Sequence, residues 1–278
     1  MNIDTLLTGI IRVLKRVRKR VMESLESGEG RKVVGLGASG DSTLMVDKVA
    51  EDEIRKGLMD LLKDFYLLSE ETGFIKVGSN PSLYLVVDPI DGSTNLSRGI
   101  PFSSISIAVS KTPSLQGLIA GVVANLYSED TYWCIRGKGS FKNGEQIHVS
   151  HTSSLKEAVL TVVVNERRTP GGLNAVKPLF GKTKSVRLLG SVALELCYLA
   201  EGKIDAVVVP PNHVRNVDAL AGIIIASEAG ATCVYTGDET KLTKIEKLGF
   251  IAASTKPLLD EIISLTNFPQ RKTFNPPK

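Results

Sequence analysis

The sequence predicts a mixed α/β chain, sheet-rich with flanking helices in its first half and alternating between strand and helix in its second. Three observations predict it. Leu6, Leu7, Ile10, Ile11, Leu14, Val17 and Val21 recur at helical spacing, short β-branched runs follow one another between residues 83 and 164, and strand-length apolar runs alternate with helical patterns from residue 191 onward. With 278 residues, 42% hydrophobic and 23% charged, the chain can bury a sizeable core as one large domain or two closely packed halves, divided here at 1–150 and 151–278.

The first helix covers residues 4–25. Its outer face carries Arg12, Lys15, Arg16, Arg18, Lys19 and Arg20, a solvated face on a domain rather than an RNA- or membrane-binding one. Residues 28–42 are dense in glycine, and Gly35-x-Gly37-x-x-Gly40 has the form of a dinucleotide fingerprint. No βαβ unit surrounds it, so the segment reads as a mobile loop. A second helix is expected over 46–62 with Asp47 in its first turn, then a short strand over 67–71 ending in Glu70 and Glu71.

Strands at 83–87 and 104–109 flank the segment Asp88-Pro89-Ile90-Asp91-Gly92-Ser93-Thr94-Asn95, and more are expected at 117–124, 131–135 and 159–164. The second half reads as a helix at 191–200, a buried strand at 204–209, a helix at 217–229 stopped by Gly230, strands at 232–235 and 250–253, and a helix at 257–264. The tail from Asn267, with Pro269, Pro276 and Pro277, is expected to fray.

A formal charge of +4 is too weak to argue for nucleic acid, though it suits a small anionic substrate. Cys134, Cys197 and Cys233 stand far apart in apolar contexts and read as core residues of a reducing compartment. His148, His151 and His213 show no zinc-binding spacing. No run suits a membrane span or secretory signal, so the cytoplasm is the expected location.

The chemistry concentrates in residues 88–95. An apolar strand ends in Asp88, Pro89 stiffens the turn, and Asp91 arrives three residues later, so both carboxylates can face one cation. Gly92 permits close approach of the backbone, and Ser93-Thr94-Asn95 can open a helix whose free N–H groups meet an anion. Hard cations such as Mg²⁺ take oxygen ligands and share positions with substrate phosphate, which makes Glu70, Asp88, Asp91 and Asp218 the candidates. Taken alone, Asp47 reads as a carboxylate serving a helix dipole, Asp218 as a capping residue, and the run Glu166-Arg167-Arg168 as solvated.

These residues resemble the inositol monophosphatase family of Mg²⁺-dependent, lithium-sensitive phosphatases, which has fructose-1,6-bisphosphatase-like archaeal and bacterial members. The resemblance covers nearly the whole chain and rests on Ser69-Glu70-Glu71, the segment from Asp88 to Asn95, Asn216-Val217-Asp218-Ala219-Leu220-Ala221-Gly222 and Glu228-Ala229-Gly230. It implies the sugar-phosphatase fold, a layered α-β-α-β-α sandwich. It also implies two or three Mg²⁺ ions, with Glu70, Asp88 and the Ile90 carbonyl at the first and Asp88, Asp91 and Asp218 at the second. Gly92, Ser93 and Thr94 would cradle phosphate, Asp47 and Ser93 would pair to activate water, and Arg187, Ser191 and Arg215 would contact substrate.

Two departures matter. Pro211 stands where animal members carry an inositol-binding glutamate, and Ser39, followed by Asp41, stands where thermophilic members carry an aspartate that steadies a third ion. The expected reaction is therefore hydrolysis of a small polyol or sugar phosphate, inositol 1-phosphate first and fructose 1,6-bisphosphate second, by a cytoplasmic homodimer without nucleic-acid or membrane partners. The alternatives are a 3′-phosphoadenosine 5′-phosphate phosphatase and a non-catalytic RNA- or anion-binding regulator on the same fold.

Overall fold

The computed structural model describes residues 2–38, 40, 42–167, 169–236, 241–269 and 271–274. Among these, the helices are α1 (Ile3–Glu26), α2 (Met45–Leu61), α3 (Ser93–Arg98), α4 (Gly172–Val176), α5 (Val192–Ala200), α6 (Asn216–Glu228) and α7 (Lys256–Thr266). None is long and apolar enough to cross a membrane.

The described strands form an eight-stranded sheet from the first half, a six-stranded sheet from the second, and a separate two-stranded hairpin. Helices α1 and α2 cover one face of the larger sheet, α5 and α6 fill the space between the two sheets, and α4 and α7 cover the outer face of the smaller. The order of layers is α-β-α-β-α, as the resemblance implies.

Strand periodicity explains the layering. Leu85 and Val87 of strand Tyr84–Asp91 join the core under α1 and α2, while Val86 between them faces α5 and α6. In strand Ala206–Arg215, Val207 and Val209 face the middle layer and Ala206 and Val208 the outer one. With both faces covered, these strands read as unbroken apolar runs rather than as alternating ones. Helix α6 lies in the middle layer and is apolar nearly all round for the same reason.

Two irregularities in the sheets shape the site. In the larger sheet Asp88 pairs with Ser106 and Asp91 with Ser104, which leaves one residue more on the first strand than on its partner. Such a bulge re-aims the side chains it interrupts. In the smaller sheet Val209 pairs with Phe250 and Val214 with Leu248, so residues 210–213 bow out of the ladder. Pro210 and Pro211 have no N–H to give to a ladder, and Asn212 takes φ 66°.

Two expectations are corrected. Part of the glycine-rich segment is ordered as a 3₁₀ turn, Glu29–Arg31, and an antiparallel pair, Val33–Leu36 with Ser42–Leu44. Ser39 and Asp41 lie outside the described residues. The tail does not fray at Asn267: Arg271–Thr273 adds an edge strand beside Thr232–Thr236, and Phe274 is buried.

Candidate active site

Strand Phe65–Ser69 runs parallel to Tyr84–Asp91 with Ser69 level with Val87, so Glu70 emerges beside Asp88. Asp218, the third residue of α6, reaches the same point from the middle layer. Carboxylate oxygens of Glu70, Asp88 and Asp218 lie within 4.8 Å of one another, and all three residues are buried. Asp91 lies at the end of the bulge, where its Oδ2 accepts hydrogen bonds of 2.7 Å from the Ser191 hydroxyl and 2.7 Å from the Ala193 N–H in the first turn of α5.

Burial and mutual repulsion dominate the electrostatics. Burial, then the charges of Glu70, Asp218 and Asp91, push Asp88 well above the ordinary carboxylate range. Burial pushes Asp91 up to about 8, with Asp218 adding to it, and pushes Glu70 up to about 7 against the pull of Arg215. Asp47 is raised by burial to about 6. Asp88 accepts the Ile90 N–H at 3.0 Å on Oδ1, while its buried Oδ2 has no hydrogen-bond partner among the described residues. A set of carboxylates converging out of water with an orphaned oxygen is poorly satisfied by protein alone and fits a hard, multivalent cation.

The acids open into a cleft of about 960 Å³ lined by the beginnings of several helices. Leu44 and Asp47 come from the start of α2, Gly92, Ser93 and Thr94 from α3, Val192 from α5, and Arg215 and Asp218 from α6. The positive ends of helix dipoles therefore face one space, an arrangement that favours an anion. Gly92 sits at φ 90°, and a Cβ there would lie 2.9 Å from the Gly190 carbonyl oxygen, so only glycine makes this turn without strain.

The sequence matches the profile of the inositol monophosphatase family over residues 3–270. The chain belongs to that family. It is similar to a Thermococcus kodakarensis protein named fructose-1,6-bisphosphatase/inositol-1-monophosphatase, 36% identical over 90% of this chain and 92% of the relative. A Methanothermobacter thermautotrophicus protein of the same name is 34% identical over 79% of this chain and 80% of its own length. The solved structure of a Pyrococcus horikoshii protein, described as having similarities to inositol-1 monophosphatase, superposes with a TM-score of 0.79 at 30% identity, covering 95% of this chain and 99% of that one. As a member of this family the chain is a phosphoric monoester hydrolase.

Within the family member, not every expected site residue stands where the sequence suggested. Asp47 and Ser93 share the cleft, but no hydrogen bond joins them among the described residues; Asp47 Oδ2 instead accepts the Leu44 N–H at 2.7 Å and closes the first turn of α2. Arg187 is exposed, bonded to the Ser185 hydroxyl and the Val186 carbonyl, and does not line the cleft. Ser191 is fully buried behind Asp91, 3.0 Å from the Ser104 hydroxyl, so it holds a carboxylate rather than substrate. Arg215 lines the cleft yet spends its side chain on Glu70 and Asp218.

Glu71 accepts from the Thr43 hydroxyl and ties the hairpin to the site. Glu166 accepts the N–H groups of Gly171 and Leu173 at the start of α4; Arg167 lines the cleft, and Arg168 lies outside the described residues.

Three supporting roles escaped the sequence reading. Asn95 Nδ2 donates to the carbonyls of Phe102 at 2.9 Å and Leu189 at 2.7 Å, bridging the two halves. Glu195, fully buried in α5, accepts the Gly190 N–H at 2.9 Å and steadies the turn that carries Ser191. Glu51 receives the hydroxyls of Ser69 and Thr72 beneath Glu70. A single charge inside the apolar run from Val192 to Ala200 was the visible sign of Glu195.

Proposed function

We propose that this chain hydrolyses phosphate monoesters of small polyols or sugars with the aid of Mg²⁺, inositol 1-phosphate being the primary substrate and fructose 1,6-bisphosphate a second. The observation that carries the proposal is the buried convergence of Glu70, Asp88 and Asp218, with Asp88 Oδ2 unpartnered among the described residues, at the floor of a cleft that also presents Gly92, Ser93 and Thr94. The names of the two archaeal relatives support the choice of substrates.

In this reading Glu70, Asp88 and the Ile90 carbonyl would hold one cation, and Asp88, Asp91 and Asp218 would hold another. When bound, divalent cations supply the positive charge that activates water and stabilises the charge developing on the phosphoryl group and the leaving alkoxide. The protein's own residues do the positioning. The first turn of α3 holds the phosphate through backbone N–H groups and the hydroxyls of Ser93 and Thr94. Ser93 orients a water, and Asp47, raised to about 6 by burial, accepts its proton in the ionised form. Ser191 and Ala193 keep Asp91 aimed at the cluster.

Beyond the acids the cleft continues past Asn165, Arg167, Thr169 and Lys247. Two cationic side chains there, Arg167 and Lys247, support room for a second anionic group, which admits fructose 1,6-bisphosphate as the second substrate. Two or three Mg²⁺ ions, lithium sensitivity, a homodimer and a cytoplasmic location belong to the same proposal and rest on the family resemblance. The test is kcat/KM under saturating Mg²⁺ for inositol 1-phosphate, fructose 1,6-bisphosphate and 3′-phosphoadenosine 5′-phosphate. Turnover of the first two above the nucleotide is expected; turnover of the nucleotide alone, or of none by folded protein, overturns the reading.

A further inference from the structure

Arg215 occupies an unusual position for a residue lining a substrate cleft. Its Nε lies 3.0 Å and 3.2 Å from the two oxygens of Asp218, its Nη1 donates to Glu70 Oε1, and its backbone N–H donates to Asp218 Oδ2 at 3.0 Å. The side chains of Arg215, Glu70 and Asp218 are 20%, 11% and 11% exposed, so these charge-assisted bonds form largely out of water, where they carry more weight than surface pairs. The guanidinium bonds carboxylates from both halves of the chain, Glu70 and Asp218. Among the described residues Asp88 Oδ2 remains without a hydrogen-bond partner.

The oxygens that Arg215 engages belong to two of the three residues that form the acidic cluster. A cation entering the cluster meets both the guanidinium charge and these occupied lone pairs. The backbone N–H of Arg215 is tied to Asp218 independently of the side chain, so the side chain alone has to move. It lines the same cleft as Ser93, Thr94 and Lys247.

We propose that Arg215 is an internal counter-cation: it bridges Glu70 and Asp218 while no divalent cation is bound, competes with that cation for the two carboxylates, and swings into the cleft when the cation loads. This rests on the reading of the cluster as a cation site. Linkage makes the competition reciprocal, so Mg²⁺ loosens Arg215 by the factor by which Arg215 weakens Mg²⁺.

The experiment is Mg²⁺ titration of the chelator-treated full chain by calorimetry, run in two buffers of different ionisation enthalpy so that released protons are counted. It compares wild type with Arg215→Met, which keeps the apolar stem, and Arg215→Lys, which keeps the charge without the fork. Arg215→Met is expected to bind Mg²⁺ at least about fivefold more tightly, the low end of coupling between linked sites. Its melting temperature without metal should fall below that of wild type and recover on Mg²⁺ addition, with Arg215→Lys intermediate in both.

Should the methionine variant not fold without metal, the ¹⁵N–¹H resonance of Arg215 Nε in wild type decides. It should shift during the Mg²⁺ titration with the midpoint seen by calorimetry. A wild type that binds Mg²⁺ while Arg215→Met binds it no more tightly, or while the Nε resonance stays fixed, overturns this inference alone. A wild type that binds no Mg²⁺ overturns it together with the proposed function.

Discussion

Asp88 is fully buried, leaves one oxygen without a hydrogen-bond partner among the described residues, and stands among Glu70, Asp91 and Asp218. A carboxylate in that position weakens the cation-free fold, so its presence calls for a compensating role. Asp88→Asn removes a buried acid while keeping the shape, and should lower turnover at least about a hundredfold, as loss of a main electrostatic contact does. The melting temperature of the cation-free variant should equal or exceed that of wild type. A variant that loses activity only because it melts earlier would instead assign Asp88 a structural role.

The raised acids also set a pH dependence. Asp47, Glu70 and Asp91 titrate at about 6, 7 and 8 in the folded chain, above their ordinary values. The folded state therefore holds protons that the unfolded chain has released. The contribution of these groups to stability is whole below about pH 4 and is lost as the pH rises through the folded values. Thermal melts of chelated protein should fall from about pH 5 to about pH 8.5, and added Mg²⁺ should raise the melting temperature most at the alkaline end. A flat profile that Mg²⁺ leaves unchanged would contradict this account of the cluster.

At this scale Asp88 and Asp91 were legible because strand, proline, glycine and paired carboxylates are local in sequence from Asp88 to Thr94, whereas Glu70 and Asp218 are distant from them and were drawn in by the family resemblance. Ser191 and Arg187 were not, because only the packing of α5 against the bulge decides that Ser191 turns inward to Asp91 while Arg187 lies outside.

Several helices begin at the cleft, and two of them use the same device. Asp47 accepts the N–H of Leu44, and Asp218 that of Arg215, each carboxylate closing the first turn of its own helix. The capping reading and the functional reading of these residues thus coexist, one oxygen serving the helix while the residue faces the cleft. Helix α5 contributes differently, since its Ala193 N–H and the preceding Ser191 hydroxyl hold Asp91 from behind.

Ser191→Ala should weaken Mg²⁺ binding about 10–100-fold, as loss of a group orienting a metal ligand does, with an unchanged far-ultraviolet spectrum. Unaltered Mg²⁺ affinity would show that Ala193 suffices. Helix positions were readable from spacing, and α1, α5 and α6 begin and end within a few residues of expectation. The pair Val33–Leu36 and Ser42–Leu44 was not, since Val33–Leu36 is exposed along its whole length and, among glycines, has no buried face to impose a period of two. Strand Ala206–Arg215 runs past its expected end because the bowed residues 210–213 let pairing resume at Val214.

Over the whole molecule, the middle layer is common property. The core containing α5 and α6 takes Val86, Ala108 and Val123 from the first sheet and Val207, Phe250 and Ala252 from the second. Residues 1–150 and 151–278 therefore form one cooperative unit in our proposal, with Asn95 bridging them at the cleft. Leu196, fully buried in α5, tests this: Leu196→Ala should cost about 2–5 kcal/mol. Trp133, the single tryptophan, stacks on Phe141 in the first half, so its fluorescence midpoint should fall together with that of circular dichroism. Separate midpoints would mean that the halves unfold independently.

The layer order followed from the family resemblance, whereas the contact between halves depends on pairs such as Asn95 with Leu189, distant in sequence and invisible to local pattern. What those distant contacts produce is a single cleft in which acids from both halves meet. The most direct measurement is phosphate release from inositol 1-phosphate by chelated, folded protein as Mg²⁺ is added back. The account predicts no turnover without Mg²⁺, a saturable rise on its addition, and no rise in Asp88→Asn. Turnover that persists after chelation, or a rise that Asp88→Asn shares with wild type, would contradict it.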